Sequence, residues 1–333
     1  MTTVLGSGDF RYRMIHGFGN LPEGETYREA AGAATDSRDR LHVFVRDPGR
    51  VILFDHAGNF LGSWGQGLFT NPHGIHIGPD ECVYTTDSGD HSVRKFSPDG
   101  KLLLTIGVPG QTPGYMSGKP FCRCTHTALA PNGDIYVSDG YGNACIHKFA
   151  PDGRYLMSWG KPGILPGEFN IPHNLWCDGD GWLYVSDREN HRVQVFDGNG
   201  RFETQWHGLH RPMAMVMTSG KCPVCIVAEG GPELGINRDM PNIGPRLSVV
   251  DMQGRLITRV GTEIAGHGPG RFIAPHGLAI DSRGDLYVAE VADIAWRGMF
   301  AGQPMPNPLR SLHKLERLPT RAETATPAAQ AAS

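Results

Sequence analysis

One module recurs along this chain of 333 residues. Its fullest copy runs Asn170-Ile171-Pro172-His173-Asn174-Leu175-Trp176, through the turn Asp180-Gly181, to Leu183-Tyr184-Val185-Ser186-Asp187 and Arg192-Val193-Gln194-Val195-Phe196. Asn71-Pro72-His73-Gly74 leads in the same way to Val83-Tyr84-Thr85-Thr86-Asp87, and Ala274-Pro275-His276-Gly277 to Leu286-Tyr287-Val288-Ala289-Glu290. A repeat of about forty residues points to a propeller or a solenoid, because one such unit cannot bury its apolar face alone.

The repeats can be followed in order. A first unit occupies roughly 34–65, a second 72–107, a third 125–160, a fourth 172–206 and a more divergent fifth 212–261, with a sixth starting at Pro275. Their strands alternate or are β-branched, and joints such as Asn132-Gly133 and Asp152-Gly153 have the chemistry of tight hairpins. The segment 10–15 alternates too and is expected to supply the outer strand of the sixth unit, closing the ring. The expected fold is all-β: a six-bladed β-propeller of four-stranded blades in a single domain over 1–318. The Ala-, Thr- and Pro-rich stretch 319–333 is expected to be a disordered tail.

The formal net charge of −3, with both signs interspersed, provides no basic field for nucleic acid or an anionic membrane. No apolar run is long enough to span a bilayer, and the first residues lack a signal-peptide pattern. Seven cysteines without framework spacing suit a reducing compartment. The expectation is a cytoplasmic protein acting on a small molecule.

Successive antiparallel strands reverse direction, so the start of each inner strand and the link between second and third strands lie at the same end of the ring. His73, His173 and His276 each head an inner strand, about 100 residues or two units apart. Alternate blades would deliver them about 120° apart around the axis. Three imidazoles with one open position form a catalytic zinc site, with one ion expected per chain. The links at that end bring Tyr141, a general base if a cation or metal lowers its pKa, and Arg46, suited to a carboxylate or a developing oxyanion.

These segments resemble NHL-repeat propellers, and among them the catalytic core of the peptidyl-α-hydroxyglycine α-amidating lyases, over about 46–290. The resemblance implies zinc on His73, His173 and His276, a catalytic tyrosine at Tyr141 in Val137-Ser138-Asp139-Gly140-Tyr141-Gly142-Asn143, and an arginine at Arg46. It implies a lyase that opens a carbinolamide to an amide and glyoxylate. The departures are specific. Gly277 stands where the family has an acid contributing to a calcium site, which puts calcium in doubt, and Ala274 replaces a methionine. Gly142 replaces a cysteine that would pair with Cys122. His126 is an additional histidine, expected at the channel mouth as a fourth ligand, a proton shuttle or a substrate contact. A lactonase-like hydrolase or hydratase, with carboxylate ligands, and a non-catalytic interaction scaffold are the competing functions.

Other features read as structural. Asp87, Asp139, Asp187, Glu229 and Glu290 are expected to accept hydrogen bonds from loop amides, and Trp64, Trp159 and Trp206 to pack between blades. Cys222 and Cys225 are expected as a buried strand pair, and His207 and His210 as loop residues on the channel side. The segment 299–318 is expected to form a short helix on the ring or on a neighbouring subunit of a homo-oligomer.

Overall fold

A computed structural model describes residues 3–320 and 323, apart from 16, 221 and 263. Most of the expected tail, 321–322 and 324–333, lies outside the described residues. Six antiparallel sheets form the ring. Blade one comprises Glu29–Thr35, Leu41–Arg46, Arg50–Phe54 and Phe60–Trp64. Blades two to five have inner strands Pro72–Ile77, His126–Leu129, Pro172–Cys177 and Pro212–Met217. In blade six Pro275–Ile280, Leu286–Glu290 and Leu312–Arg317 are completed by the N-terminal strand Phe10–Ile15, with Val4–Ser7 beyond it. Tyr12 faces Arg317 and Met14 faces Leu315, so the two ends of the chain share one blade and seal the ring.

The apolar core sits between blades, not within them. Phe44 and Val51 of blade one meet Ile75 and Phe96 of blade two. The same arrangement recurs around the ring and ends with Leu278 and Val288 of blade six against Val249 of blade five. The tryptophans pack between blades as expected. Trp64, Trp159 and Trp206 lie over the hairpin glycines Gly100, Gly200 and Gly254 of the following blade, where a Cβ would come within 3.1, 2.5 and 2.3 Å of the indole.

Two expectations are corrected. The segment 299–318 is not a helix: the α-helix is Ala292–Met299, and Leu312–Arg317 is the third strand of blade six. Its charges are internal pairs of the blade, His313 with Glu290 at 2.8 Å and Lys314 with Asp285 at 3.0 Å. Cys225 is buried in its strand while Cys222 is exposed ahead of it, so they are not a buried pair. No helix among the described residues is long and apolar enough to cross a membrane.

Candidate metal centre at the propeller axis

Carboxylates fix the starts of the three histidine-bearing inner strands. Asp87 accepts hydrogen bonds from the Thr70 and Asn71 amides at 2.6 and 2.8 Å, Asp187 from Asn170 at 2.7 Å, and Glu290 from Ile273 and Ala274 at 2.7 and 2.9 Å. The strand then bulges at the histidine. Pro72 pairs with Asp87 and Gly74 with Thr86, leaving His73 out of register, and the same skip occurs at His173 and His276. A bulge re-aims a side chain, here toward the axis.

The three imidazoles form a nearly equilateral triangle, with ring centroids 4.6, 4.7 and 4.7 Å apart. Each Nδ1–H donates to a backbone carbonyl of the next blade: His73 to Thr125 at 2.7 Å, His173 to Met213 at 2.7 Å and His276 to Ala31 at 2.6 Å. Thr125, Met213 and Ala31 occupy in blades three, five and one the position that histidine holds in the others. Histidine blades and carbonyl blades therefore alternate. A carbonyl can only accept, so the hydrogen sits on Nδ1 and every Nε2 keeps its lone pair for the axis. Burial holds the rings neutral: His73 and His173 lie well below the usual imidazole range, and His276 is pushed down to about 3, with Arg46 adding to the effect.

Tyr141 closes the triangle from above. Its hydroxyl is 3.1 Å from Nε2 of His73 and 3.2 Å from Nε2 of His173, and Arg188 donates to it at 3.2 Å. Nε2 of His276 has no hydrogen-bond partner among the described residues. One phenolic hydrogen cannot satisfy three converging lone pairs. The ligand atoms all lie within 4.8 Å of one another, and three neutral imidazoles are the donor set of catalytic zinc, so the residues fit such an ion. They do not fit the family's calcium ligand. At Gly277 a Cβ would stand 2.6 Å from the Gly32 Cα and 2.9 Å from the Ala33 nitrogen, leaving no room for an acid.

The histidines lie between two spaces. Outside them is a cleft of about 390 Å³ whose lining includes Arg46, Tyr141 and Arg188 and the apolar Ala274, Val291 and Ile294. Arg46 is held by Glu29 at 3.0 Å and by the Pro72 carbonyl at 2.8 Å. Inside them is an axial cavity lined by His76 and His126. His126 sits one residue further along its strand than the mouth position expected for it, which Thr125 takes, and does not line the cleft. His207 is exposed, and His210 stacks on His191 at 4.7 Å. Arg188 was missed in the sequence, although it follows Asp187 in the same second-to-third-strand link that marked Tyr141. All seven cysteines are free, and a Cβ at Gly142 would lie 2.2 Å from the Cys122 Sγ.

The NHL repeat model matches residues 121–149 and 169–196. Peptidyl-alpha-hydroxyglycine alpha-amidating lyase 1 of Drosophila melanogaster is 33% identical over 278 residues, 77% of this chain and 50% of that protein. Peptidyl-glycine alpha-amidating monooxygenase B of Xenopus laevis is 31% identical over 259 residues, 74% of this chain and 28% of that protein. The chain thus spans half or less of the length of these relatives. A streptogramin B lyase structure superposes with a TM-score of 0.55 at 12% identity, covering 89% of this chain and 95% of that one, a likeness of fold alone. The protein is an NHL-repeat six-bladed β-propeller that resembles the peptidyl-α-hydroxyglycine α-amidating lyases over about three quarters of its length.

Proposed function

We propose that this protein is a metal-dependent lyase that cleaves the C–N bond of a small carbinolamide-type α-hydroxy acid, with one zinc ion held by His73, His173 and His276. The observation that carries this reading is the convergence of three Nε2 lone pairs, each fixed by an Nδ1–H···O=C bond, directly beneath the Tyr141 hydroxyl. Bound there, zinc supplies a Lewis acid for the substrate hydroxyl. Tyr141, as the tyrosinate favoured by the ion and by the Arg188 guanidinium 3.2 Å away, would take the proton from that hydroxyl and return it to the leaving nitrogen. The O–H pair becomes the carbonyl π bond, the C–N pair leaves on nitrogen, and nitrogen takes up a proton. An N-acyl-α-hydroxyglycine therefore gives an amide and glyoxylate, with no oxidant and no water consumed. Arg46, immobilised by Glu29, faces the cleft for the substrate carboxylate, and the Ala274, Val291 and Ile294 wall takes its apolar part.

A lactonase-like hydrolase calls for carboxylate ligands at the axis, and the cluster there is all histidine. A scaffold has no use for three neutral imidazoles at alternate blades. The test is metal content together with glyoxylate release from α-hydroxyhippurate. About one zinc per chain with glyoxylate formed supports the lyase; metal-free protein, or zinc with no glyoxylate, removes it.

A further inference from the structure

The odd-numbered blades, which carry no axial histidine, carry charge one step further out. Two residues before the histidine position stand Glu29, Arg123 and Arg211 in blades one, three and five, against Asn71, Ile171 and Ala274 in the others. Glu29 is engaged with Arg46 at 3.0 Å, and Arg211 with Glu189 at 2.9 Å and Glu233 at 3.0 Å. Arg123 is exposed and has no carboxylate partner among the described residues.

Arg123 is nonetheless held in place. Its amide donates to Nδ1 of His91 at 3.0 Å, and the amide of Arg211 donates to Nδ1 of His191 at 3.1 Å. All four residues have left-handed backbones, with φ of 64° at His91, 64° at Arg123, 54° at His191 and 51° at Arg211. Such a conformation is uncommon outside glycine and persists where the surroundings over-determine it, often at ligand clamps. The same device thus occurs twice, two blades apart, and each copy presents an arginine to the cleft. The Arg123 guanidinium lies 5.4 Å from the centroid of the Tyr141 ring, with that of Arg188 at 5.3 Å. Four arginines line the cleft, 46, 123, 188 and 211, and Glu233 is the only acid among its lining residues.

Glu29, Glu189 and Glu233 already face Arg46, Arg188 and Arg211, so a substrate carboxylate docked at Arg46 leaves Arg123 as the one cleft arginine still without an anionic partner among the described residues. We infer that Arg123 is a specificity residue that docks a second anionic group, carried on the N-substituent, so that the cleft prefers dianionic carbinolamides to monoanionic ones. The inference rests on the cleft being the substrate site proposed above. It goes beyond that reading in naming the substrate's charge and the residue that selects it.

The test uses uncleavable analogues, so that docking is read without turnover. N-acetylglycine and N-succinylglycine both lack the α-hydroxyl that the reaction requires, and only the second has a carboxylate at its far end. Calorimetric titration of the zinc-loaded protein should show N-succinylglycine binding about tenfold tighter or better. Arg123→Gln should bring that ratio to about one and leave the N-acetylglycine Kd unchanged. Arg123→Gly, which suits the left-handed backbone, should do the same and guards against a fold effect of the glutamine. Equal affinities in the wild type, a preference that survives both variants, or no binding of either analogue overturns the inference. Glyoxylate release from α-hydroxyhippurate reports on the lyase independently. Turnover without a dianion preference sinks only the Arg123 assignment; the preference without turnover sinks only the lyase.

Discussion

The Tyr141 hydroxyl lies 3.1 Å from Nε2 of His73 although the two residues come from different blades, Tyr141 from a strand link of blade three and His73 from the inner strand of blade two. Two rigid sheets therefore set the distance between the proposed base and the proposed metal. Tyr141→Phe keeps the ring and its contacts with the Arg123 and Arg188 guanidinia and removes only the oxygen. Glyoxylate release is expected to fall about 10²–10⁴-fold, with bound zinc and thermal midpoint nearly unchanged. Turnover within about threefold of wild type in Tyr141→Phe, measured with metal content on the same preparation, would remove Tyr141 as the base.

Zinc binding should be visible in stability, because an ion that binds only the folded ring stabilises it by mass action. At 100 times its Kd the effect is about 2.7 kcal/mol. Chelator treatment should lower the unfolding midpoint, and one equivalent of zinc should restore it. His276→Ala removes one ligand and the donor to the Ala31 carbonyl, and its midpoint should no longer respond to zinc. A zinc-dependent shift that persists in His276→Ala places the ion elsewhere.

The axial cavity predicts an acid limb of stability. Burial pushes His76 down to about 4 and His126 down to about 3, whereas each titrates near 6.5 in the unfolded chain. Between those limits the unfolded chain binds protons that the folded ring refuses. Their contribution is thus complete above pH 6.5 and is lost as pH falls toward 4 for His76 and toward 3 for His126. Urea midpoints from pH 7 to pH 4.5 should fall less steeply in His76→Gln and His126→Gln than in the wild type, after subtraction of the change at pH 7. Identical slopes in all three proteins would show that neither group is neutral-locked.

The ring was legible in the sequence because blade strands are short, local and punctuated by turn residues, so the forty-residue period survives even in the divergent fifth blade. The histidine triangle was legible for the same reason: position along a repeat fixes position around the axis. Arg123 and Arg211 were not. Their role depends on left-handed backbones and on the His91 and His191 side chains of preceding blades, which no spacing reveals. His126 was misplaced by one residue, because the bulge that moves His73, His173 and His276 out of register cannot be located from a Pro-His pair when the third blade begins with Cys124-Thr125. Within 299–318, expected as a short helix, the strand Leu312–Arg317 was not legible, because His313 and Lys314 find their partners Glu290 and Asp285 only once the blade has formed.

The contact between Trp206 and Gly254 tests whether the space between blades holds the ring together. Gly254 has φ of +77° and a Cβ there would stand 2.3 Å from the Trp206 Cγ, whereas Gly208, at +79°, has nothing within 4 Å of the same built atom. Gly254→Ala and Gly208→Ala thus share a backbone cost of about 1 kcal/mol, and only the first must also displace an indole that is 2% exposed. Overpacking of that kind costs about 1–3 kcal/mol. Gly254→Ala should therefore unfold at lower urea than Gly208→Ala by that margin, with an unchanged m-value. Equal destabilisation of the two variants would mean that Trp206 yields freely and that the blades are held by the apolar clusters nearer the axis.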